Sequence, residues 1–224
     1  MCGRYSLSTS KVIVEKQLRI DVNMELTSNY NIAPTQKAVV IANDAPTELQ
    51  SMRWGLIPNW SKTEKTKYLL INARSEGIES KASFRSPIRK RKCLVLADSF
   101  YEWKKQGKQK TPYRIHLTSE ELMVFAGVWD AWKAPDETWL KSFTIITTTP
   151  NKEMEGLHDR MPVILPTFEE QRQWLLGENL EDSLAQLQPL TEGLLHTYEV
   201  SDLVGSYKNN GPALHQPIED TRLF

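Results

Sequence analysis

The feature that most constrains this sequence is a series of short apolar runs separated by residues that favour turns. Runs of this length, rich in β-branched and aromatic residues, predict β-strands. The predicted strands span residues 38–42, 49–56, 68–71, 93–97, 100–104, 113–117, 122–129, 142–148 and 162–165. Patterns with helical spacing are fewer, and they predict helices at 11–18, 84–89, 168–175 and 180–187.

Two connections between the predicted strands are tight. The sequences KQGK at 105–108 and APD at 134–136 favour hairpins, in which neighbouring strands run antiparallel. The strands do not alternate regularly with helices, so a doubly wound parallel sheet is disfavoured. The sequence therefore predicts an α+β fold with a curved, barrel-like, mainly antiparallel β-sheet flanked by a few helices. We expect one domain over residues 1–212 and a C-terminal tail at 213–224.

Composition narrows the class of protein. No stretch approaches the length of about 18 apolar residues that a membrane span needs, and the start, MCGRYSLSTS, lacks the apolar region of a secretory signal. The two cysteines, Cys2 and Cys93, rule out a disulfide framework, and no C-x-x-C pair suggests zinc. We therefore expect a reduced cytoplasmic protein with no metal and no cofactor. Because no long apolar stripe requires a dimer, we expect a monomer.

Charge is unevenly distributed although the formal net charge is zero. Residues 81–110 carry ten Lys and Arg against two acids, and residues 167–202 carry eight acids against one Arg. One interpretation of the basic segment is a surface that attracts phosphate groups. The alternative is that RKRK at 89–92 is only a solvated turn before a strand. The acidic segment predicts solvated helical faces with these apolar side chains turned inward: Trp174, Leu175, Leu184 and Leu187.

Cys2 is the first candidate for chemistry. Removal of Met1 ahead of a small residue would leave a free α-amine and a thiol on the same residue. Their reference pKa values, about 7.7–8.0 and about 8.5, leave part of each group reactive near neutral pH. A 1,2-aminothiol condenses with an aldehyde to a thiazolidine, because the amine forms an imine and the sulfur closes the ring. The alternative is a cysteine without function at a frayed terminus.

Glu102 and His158 are the candidates for proton transfer. Glu102 lies in the aromatic run FYEW at 100–103, where loss of hydration would raise its pKa, although Lys104 on the same strand face is an alternative ion-pair partner. His158 opens HDRMP at 158–162, a loop that also supplies a carboxylate and the guanidinium of Arg160. The alternative for that loop is a turn into a strand with a local salt bridge. We assign the other three histidines no role.

Polar and aromatic residues elsewhere suit a nucleic-acid surface. INARSE at 71–76 places Asn72 and Arg74 at the end of a predicted strand, as an amide donor and a phosphate ligand, or Asn72 caps a following helical turn. Pro34 and Trp60 lie near basic residues and suit stacking on single-stranded bases. Trp54 is expected in the core, whereas Trp60 is expected to be exposed.

Taken together, the motifs resemble one family, the SOS response-associated peptidase (SRAP) domain. The matching stretches keep the family's order over essentially the whole chain: MCGR at 1–4, YNIAP at 30–34, RWGLIP at 53–58, INARSE at 71–76, ADSFYEW at 97–103, IITT at 145–148 and HDRMP at 158–162. Members shield abasic sites in single-stranded DNA by covalent attachment.

The resemblance implies roles for individual residues. Cys2 is similar to the residue that attacks the abasic aldehyde, Asn72 to the one that hydrogen-bonds the linked product, Glu102 to the proton-transfer carboxylate and His158 to the acid that assists ring opening. The residues similar to the family's DNA ligands are Arg4, Arg74 and Arg160 for phosphate, and Pro34 and Trp60 for neighbouring bases. A further family Arg is missing between Glu76 and Phe84, where Lys81 or Arg85 is the available substitute.

The resemblance thus implies an abasic-site sensor that crosslinks reversibly to single-stranded DNA, with family peptidase, lyase and N-terminal autoprocessing activities. Such a protein would be cytoplasmic and associated with the nucleoid when bound to DNA. Two other classes stay open. One is an N-terminal-nucleophile cysteine peptidase or amidohydrolase, in which Cys2 attacks a carbonyl. The other is a single-strand binding module that forms no covalent bond and whose affinity falls with salt.

Overall fold

A computed structural model describes residues 2–22, 24–65 and 68–218. Its strands are β1 (Tyr5–Leu7), β2 (Asn29–Ile32), β3 (Lys37–Ala42), β4 (Leu49–Trp54), β5 (Asn72–Arg74), β6 (Lys92–Ala97), β7 (Ser99–Gln106), β8 (Gln109–Leu117), β9 (Met123–Lys133), β10 (Trp139–Thr148), β11 (Met161–Pro162) and β12 (Leu195–Glu199). Its α-helices are α1 (Lys11–Leu18), α2 (Pro87–Lys90), α3 (Lys152–Glu155), α4 (Phe168–Leu176) and α5 (Leu180–Ala185). Two short 3-10 helices follow, at Asp202–Gly205 and Pro212–His215.

Five strands form a closed ring among the described residues. β4 pairs with β3, β3 with β6, β6 with β9 and β9 with β10, all antiparallel, and β10 returns to β4 in parallel. β10 also carries β5 in parallel and β11 antiparallel. A second sheet has the order β12-β8-β7-β1-β2, and every pair in it is antiparallel. The predicted α+β fold with a barrel-like, mainly antiparallel sheet is confirmed.

The barrel interior explains several sequence choices. All six residues of β6 are buried, which accounts for its unbroken apolar run. Gly127 on β9 admits no larger residue without adjustment, since a Cβ there would lie 2.9 Å from both the Cys93 sulfur and the Thr144 carbonyl oxygen. α4 packs against β6, and its Trp174 indole donates to the Cys93 carbonyl at 3.1 Å. The inward orientation of Trp174, Leu175, Leu184 and Leu187 is confirmed, with Leu184 only partly buried.

The sequence predicts most long elements correctly and several short ones wrongly. Both expected hairpins, β7–β8 and β9–β10, are confirmed. Residues 68–71 do not form a strand; only Leu70 makes a bridge, to Leu56. The helix predicted at 84–89 is the single turn α2, and β1, β2, β5, β12 and α3 are additional elements. The basic run RKRK at 89–92 is split, because Lys92 enters β6 and is buried.

The C-terminal segment, residues 200–218, lies across the outer face of the second sheet, β12-β8-β7-β1-β2. Val200, Val204 and Leu214 pack there on Tyr101, forming a small second core. Residues up to 218 are therefore part of the packed structure, whereas 219–224, the end of the predicted tail, lie outside the described residues. No helix of the described part is long and apolar enough to cross a membrane.

Candidate functional site

Cys2 lies just before β1, and Asn72 begins β5 on the other sheet. Asn72 donates its side-chain amide to the Cys2 carbonyl at 2.8 Å, so it holds the backbone of the residue that carries the thiol. The amide oxygen of Asn72 is buried and has no partner among the described residues. Asn72 is a strand residue with this contact, so the alternative of a helix cap is wrong.

The Cys2 thiol is fully buried. Burial raises its pKa well above the usual range, and the negative charge of Glu102 raises it further. While Met1 is attached, the sulfur is therefore protonated at neutral pH. The partly ionised thiol remains an expectation for the chain from which Met1 has been removed. A group that removes the thiol proton must accompany any reaction at this sulfur.

Glu102 and His158 face each other beside Cys2. Glu102 comes from β7 and is almost fully buried, and burial raises the pKa of its carboxyl group. His158 comes from the loop between α3 and β11, and its Nε2 lies 3.9 Å from Glu102 Oε2. Burial lowers the pKa of His158, although the nearby Asp159 carboxylate acts in the opposite direction. The two groups form an acid–base pair with pKa values shifted toward each other.

Four segments that are distant in sequence thus supply one site. The N-terminus, β5, β7 and the loop after α3 bring together a thiol, an amide, a carboxyl and an imidazole: Cys2, Asn72, Glu102 and His158. A nucleophile beside a proton donor and acceptor can attack an electrophilic carbon and move protons during the attack. Met1, whose removal the aminothiol chemistry requires, lies outside the described residues.

The three predicted phosphate ligands differ in their surroundings. Arg74 ends β5 and is exposed. Arg160 is almost fully buried and binds both oxygens of Glu76, at 2.6 and 2.9 Å, and the Thr147 carbonyl at 2.6 Å. Arg4 donates to the Asn31 side chain at 2.8 Å and to the Val204 carbonyl at 3.0 Å. Contact with phosphate stays a prediction for all three residues, and Arg4 and Arg160 already hold protein partners.

Glu76 and Lys81 organise the segment after β5, a role that the sequence did not reveal. The hydrogen bonds from Arg160 lower the pKa of Glu76 to about 2, so this carboxylate is ionised at neutral pH. Lys81 donates to the carbonyl oxygens of Arg74 and Glu76, at 3.3 and 2.8 Å. The presence of Glu76 in INARSE was visible, but its pairing with a residue 84 positions away was not.

Trp60 and Pro34 lie on loops of the barrel. Trp60 is 63% exposed, as expected, and Trp54 is fully buried, as expected. Pro34 is half-buried in the turn before β3. Stacking of either residue on bases stays a prediction.

A separate polar cluster lies under the C-terminal segment. His215 Nε2 lies 3.1 Å from Ser6 Oγ, and Ser6 in turn bonds Asp98 and Ser99. His215 also packs edge-on against Tyr30. Burial lowers the pKa of His215 to about 4, and the nearby positive charge of Arg114 contributes. No sequence pattern singles out this histidine.

Side chains that could ligate a metal do not cluster in the described part of the chain. Over residues 2–22, 24–65 and 68–218, no group of three or more His, Cys, Asp or Glu side chains could hold a metal ion.

Comparison with known proteins places these features in context. Residues 1–207 match the family model described as SOS response associated peptidase (SRAP). The chain is 45% identical over 221 residues to the abasic site processing protein YoqW of Bacillus subtilis, covering 96% of this chain and 98% of that protein. It is 34% identical over 218 residues to the abasic site processing protein HMCES of Xenopus tropicalis, covering 82% of this chain and 64% of that protein.

Solved structures show the same architecture. A crystal structure of a protein from Bacteroides thetaiotaomicron superposes with a TM-score of 0.88 at 26% identity, covering 97% of this chain and all of that one. A second, from Bordetella bronchiseptica, gives a TM-score of 0.80 at 25% identity, covering 89% of this chain and all of that one.

Proposed function

The chain belongs to the SRAP family, and we propose that it binds single-stranded DNA and links Cys2 covalently and reversibly to the sugar of an abasic site. Its relatives YoqW and HMCES are named abasic site processing proteins. The observation that carries the proposal is the meeting of Cys2, Asn72, Glu102 and His158 in one site. The thiol, amide, acid and imidazole that the chemistry needs come from four separate segments.

The reaction starts from a mature chain that begins at Cys2. The abasic sugar opens to an aldehyde at C1′, and the α-amine of Cys2 adds to that carbon. Loss of water gives an imine, and the sulfur then adds to the same carbon. The thiol proton ends on the ring nitrogen, so the products are a thiazolidine and one water molecule. No oxidant or reductant is needed, and the steps can run backwards to release the protein.

The pKa shifts support particular roles in this sequence. Burial raises the pKa of the Cys2 thiol, so Glu102 accepts the thiol proton as the ring closes and returns it to nitrogen. Burial lowers the pKa of His158, so its imidazolium gives up a proton readily to the sugar oxygen or to the departing water. Asn72 fixes the Cys2 backbone, and its buried amide oxygen can accept from the N–H of the linked product.

Two exposed side chains support DNA as the partner. Arg74 is exposed next to Asn72, and the indole of Trp60 is exposed for stacking. Phosphate contacts by Arg4 and Arg160 would need an exchange or sharing of their present partners, Asn31 and Glu76. Stacking and charge attraction together suit a single strand, whose bases are accessible.

The test uses the mature protein and an oligonucleotide with one abasic site, resolved on a denaturing gel. We expect a heat-stable shifted band with the wild type and with Cys93→Ala, which alters the other buried cysteine. Cys2→Ala and an uncleavable N-terminal extension should both abolish the band. A shifted band that survives Cys2→Ala would refute the proposal.

The word peptidase in the family description favours a second candidate, hydrolysis of a peptide bond by Cys2 with Glu102 or His158 as the base. A short leader peptide ahead of Cys2 is the simplest substrate for this reaction. The two candidates are separated by offering both substrates to the same preparation. Turnover of leader peptides with no DNA adduct favours the peptidase, and salt-sensitive DNA binding that ignores Cys2→Ala favours simple binding without covalent attachment.

A further inference from the structure

The imidazole of His158 has two partners for a single atom. Its Nδ1 lies 3.0 Å from the backbone N–H of Arg160 and 2.8 Å from Asp159 Oδ1. An N–H donates only to a nitrogen that carries no proton, whereas a carboxylate oxygen accepts only from a nitrogen that carries one. The two contacts therefore belong to different protonation states of the same ring.

The loop thus supplies a partner for each state. When Nδ1 is bare, the Arg160 amide donates to it and the neutral ring holds its proton on Nε2. When Nδ1 is protonated, the Asp159 carboxylate accepts from it and Nε2 is left to gain or lose a proton. Nε2 is the atom that faces Glu102, at 3.9 Å, so it is the atom on the reactive side.

We propose that Asp159 is a positioning residue, which holds the proton on Nδ1 of His158 so that Nε2 exchanges protons with the Cys2 site. This inference deepens the proposed function and rests on it for the role of His158. As an acid, the imidazolium gives its Nε2 proton to the reacting group and keeps the Nδ1 proton against Asp159. The resulting neutral ring presents a bare Nε2, which takes the next proton back. No proton passes to Asp159.

The charges around the ring show why a carboxylate is needed there. Burial disfavours the imidazolium, and the positive charges of the amino terminus and of Lys105 on β7 act in the same direction. Glu102, on the same strand, is itself buried, and burial raises the pKa of its carboxyl group. Asp159 is 80% exposed and stays hydrated. It can therefore support the imidazolium at little desolvation cost.

The position of Asp159 is fixed by its neighbours. Arg160, the next residue, is tied to Glu76 by two hydrogen bonds and to the Thr147 carbonyl by a third. The loop backbone is therefore anchored on one side of Asp159, and on the other side the His158 backbone N–H donates to the Met154 carbonyl at 2.9 Å.

The first test is an NMR titration of the free protein, which needs no DNA. The variants are Asp159→Asn, Asp159→Ala and the conservative Asp159→Glu, with Glu155→Gln as the matched control, because it removes one negative charge from exposed α3 nearby. His158 is assigned by the signals lost in His158→Gln. At a pH inside its transition, the ratio of imidazolium to neutral ring should fall about two- to five-fold in the Asn and Ala variants, the range for an ion pair with an exposed partner.

The ¹⁵N shifts of the ring give a second readout that a purely structural role would not change. Loss of Asp159 should shift the neutral ring toward the form protonated on Nε2, with Asp159→Glu restoring part of the wild-type pattern and Glu155→Gln leaving it unchanged. An unchanged ratio and an unchanged ring form in both Asp159→Asn and Asp159→Ala would overturn the proposal. So would a change of equal size in Glu155→Gln.

The second test is the pH dependence of adduct formation. At the upper end of the pH range in which the wild type still forms adduct, the Asp159→Asn variant should form it more slowly. This loss of rate should parallel the loss of imidazolium seen by NMR. If the wild type forms no adduct at all, the proposed function fails, yet the NMR result still decides whether Asp159 controls the ring. If the adduct forms and the NMR ratio is unchanged, only the role of Asp159 fails.

Discussion

Replacing His215 by Gln should reduce the decrease in the free energy of unfolding that occurs as the pH falls from neutral to mildly acidic. Burial lowers the pKa of His215 to about 4, whereas an unfolded histidine titrates near about 6.5. The unfolded chain therefore binds a proton over this interval while the folded chain does not. Stability from this residue is complete above about pH 6.5 and is lost as the pH falls toward 4.

The magnitude follows from the width of the interval. The pKa of His215 differs by about 2.5 between the unfolded and folded chain, and each pKa unit corresponds to about 1.4 kcal/mol. The contribution of His215 to the free energy of unfolding is therefore at most about 3.4 kcal/mol, and partial exposure of the ring reduces it to about 2 kcal/mol. Glutamine keeps an amide that can donate to Ser6 Oγ, the present neighbour of His215 Nε2. The substitution therefore removes the titration and retains a hydrogen-bond donor.

The assay is urea denaturation followed by tryptophan fluorescence, at pH 7.5 and pH 4.5. Between these two conditions, the wild type should lose about 2 kcal/mol more of its free energy of unfolding than His215→Gln does. His196→Gln, which alters an exposed histidine on β12, serves as the control and should keep the wild-type loss. Equal losses in the wild type and His215→Gln would refute the reasoning, because His215 would then titrate alike in both states.

Three further predictions concern packing and DNA binding. Gly127→Ala should lower the free energy of unfolding by about 1–3 kcal/mol, measured by urea denaturation, since the added Cβ would crowd Cys93 and the Thr144 carbonyl. Leu214→Ala should cost about 2–5 kcal/mol in the same assay if the second core is as well packed as its burial indicates; a change under about 0.5 kcal/mol would contradict this. Arg74→Ala should weaken binding of single-stranded DNA and reduce the slope of log affinity against log salt by about 0.7, measured by fluorescence anisotropy, whereas an unchanged slope would exclude a phosphate contact.

The elements that could be predicted from sequence are those whose pattern is long enough to read. α1 matches its predicted bounds, and the buried run of β6 was found to within one residue. β1 and β5 each have three residues, too few to show a period, and they exist because β7 and β10 supply their hydrogen bonds. Residues 68–71 have strand-like composition, but the bridge from Leu70 to Leu56 is the pairing they make.

The candidate site divides in the same way. Their residue types made Cys2, Glu102 and His158 candidates for the chemistry, and the structure brings the three side chains together. The sequence could not show that the Cys2 sulfur is fully buried, and this burial raises the pKa of the thiol. Nor could it show that Glu76 holds the Arg160 guanidinium, because that pairing depends on how β5 and the loop after α3 meet. Such information exists only once distant segments are in contact.

The closed ring of β4, β3, β6, β9 and β10 bears on how the protein behaves at high local concentration. Each of these five strands has a hydrogen-bonded neighbour on both sides within the described residues. Open strand edges are where β-rich proteins recruit one another into aggregates, and a sheet that closes on itself offers none. Self-association that starts at this ring would require its strands to separate first, so pairing between copies through strand edges would instead begin at the second sheet, whose end strands are β12 and β2.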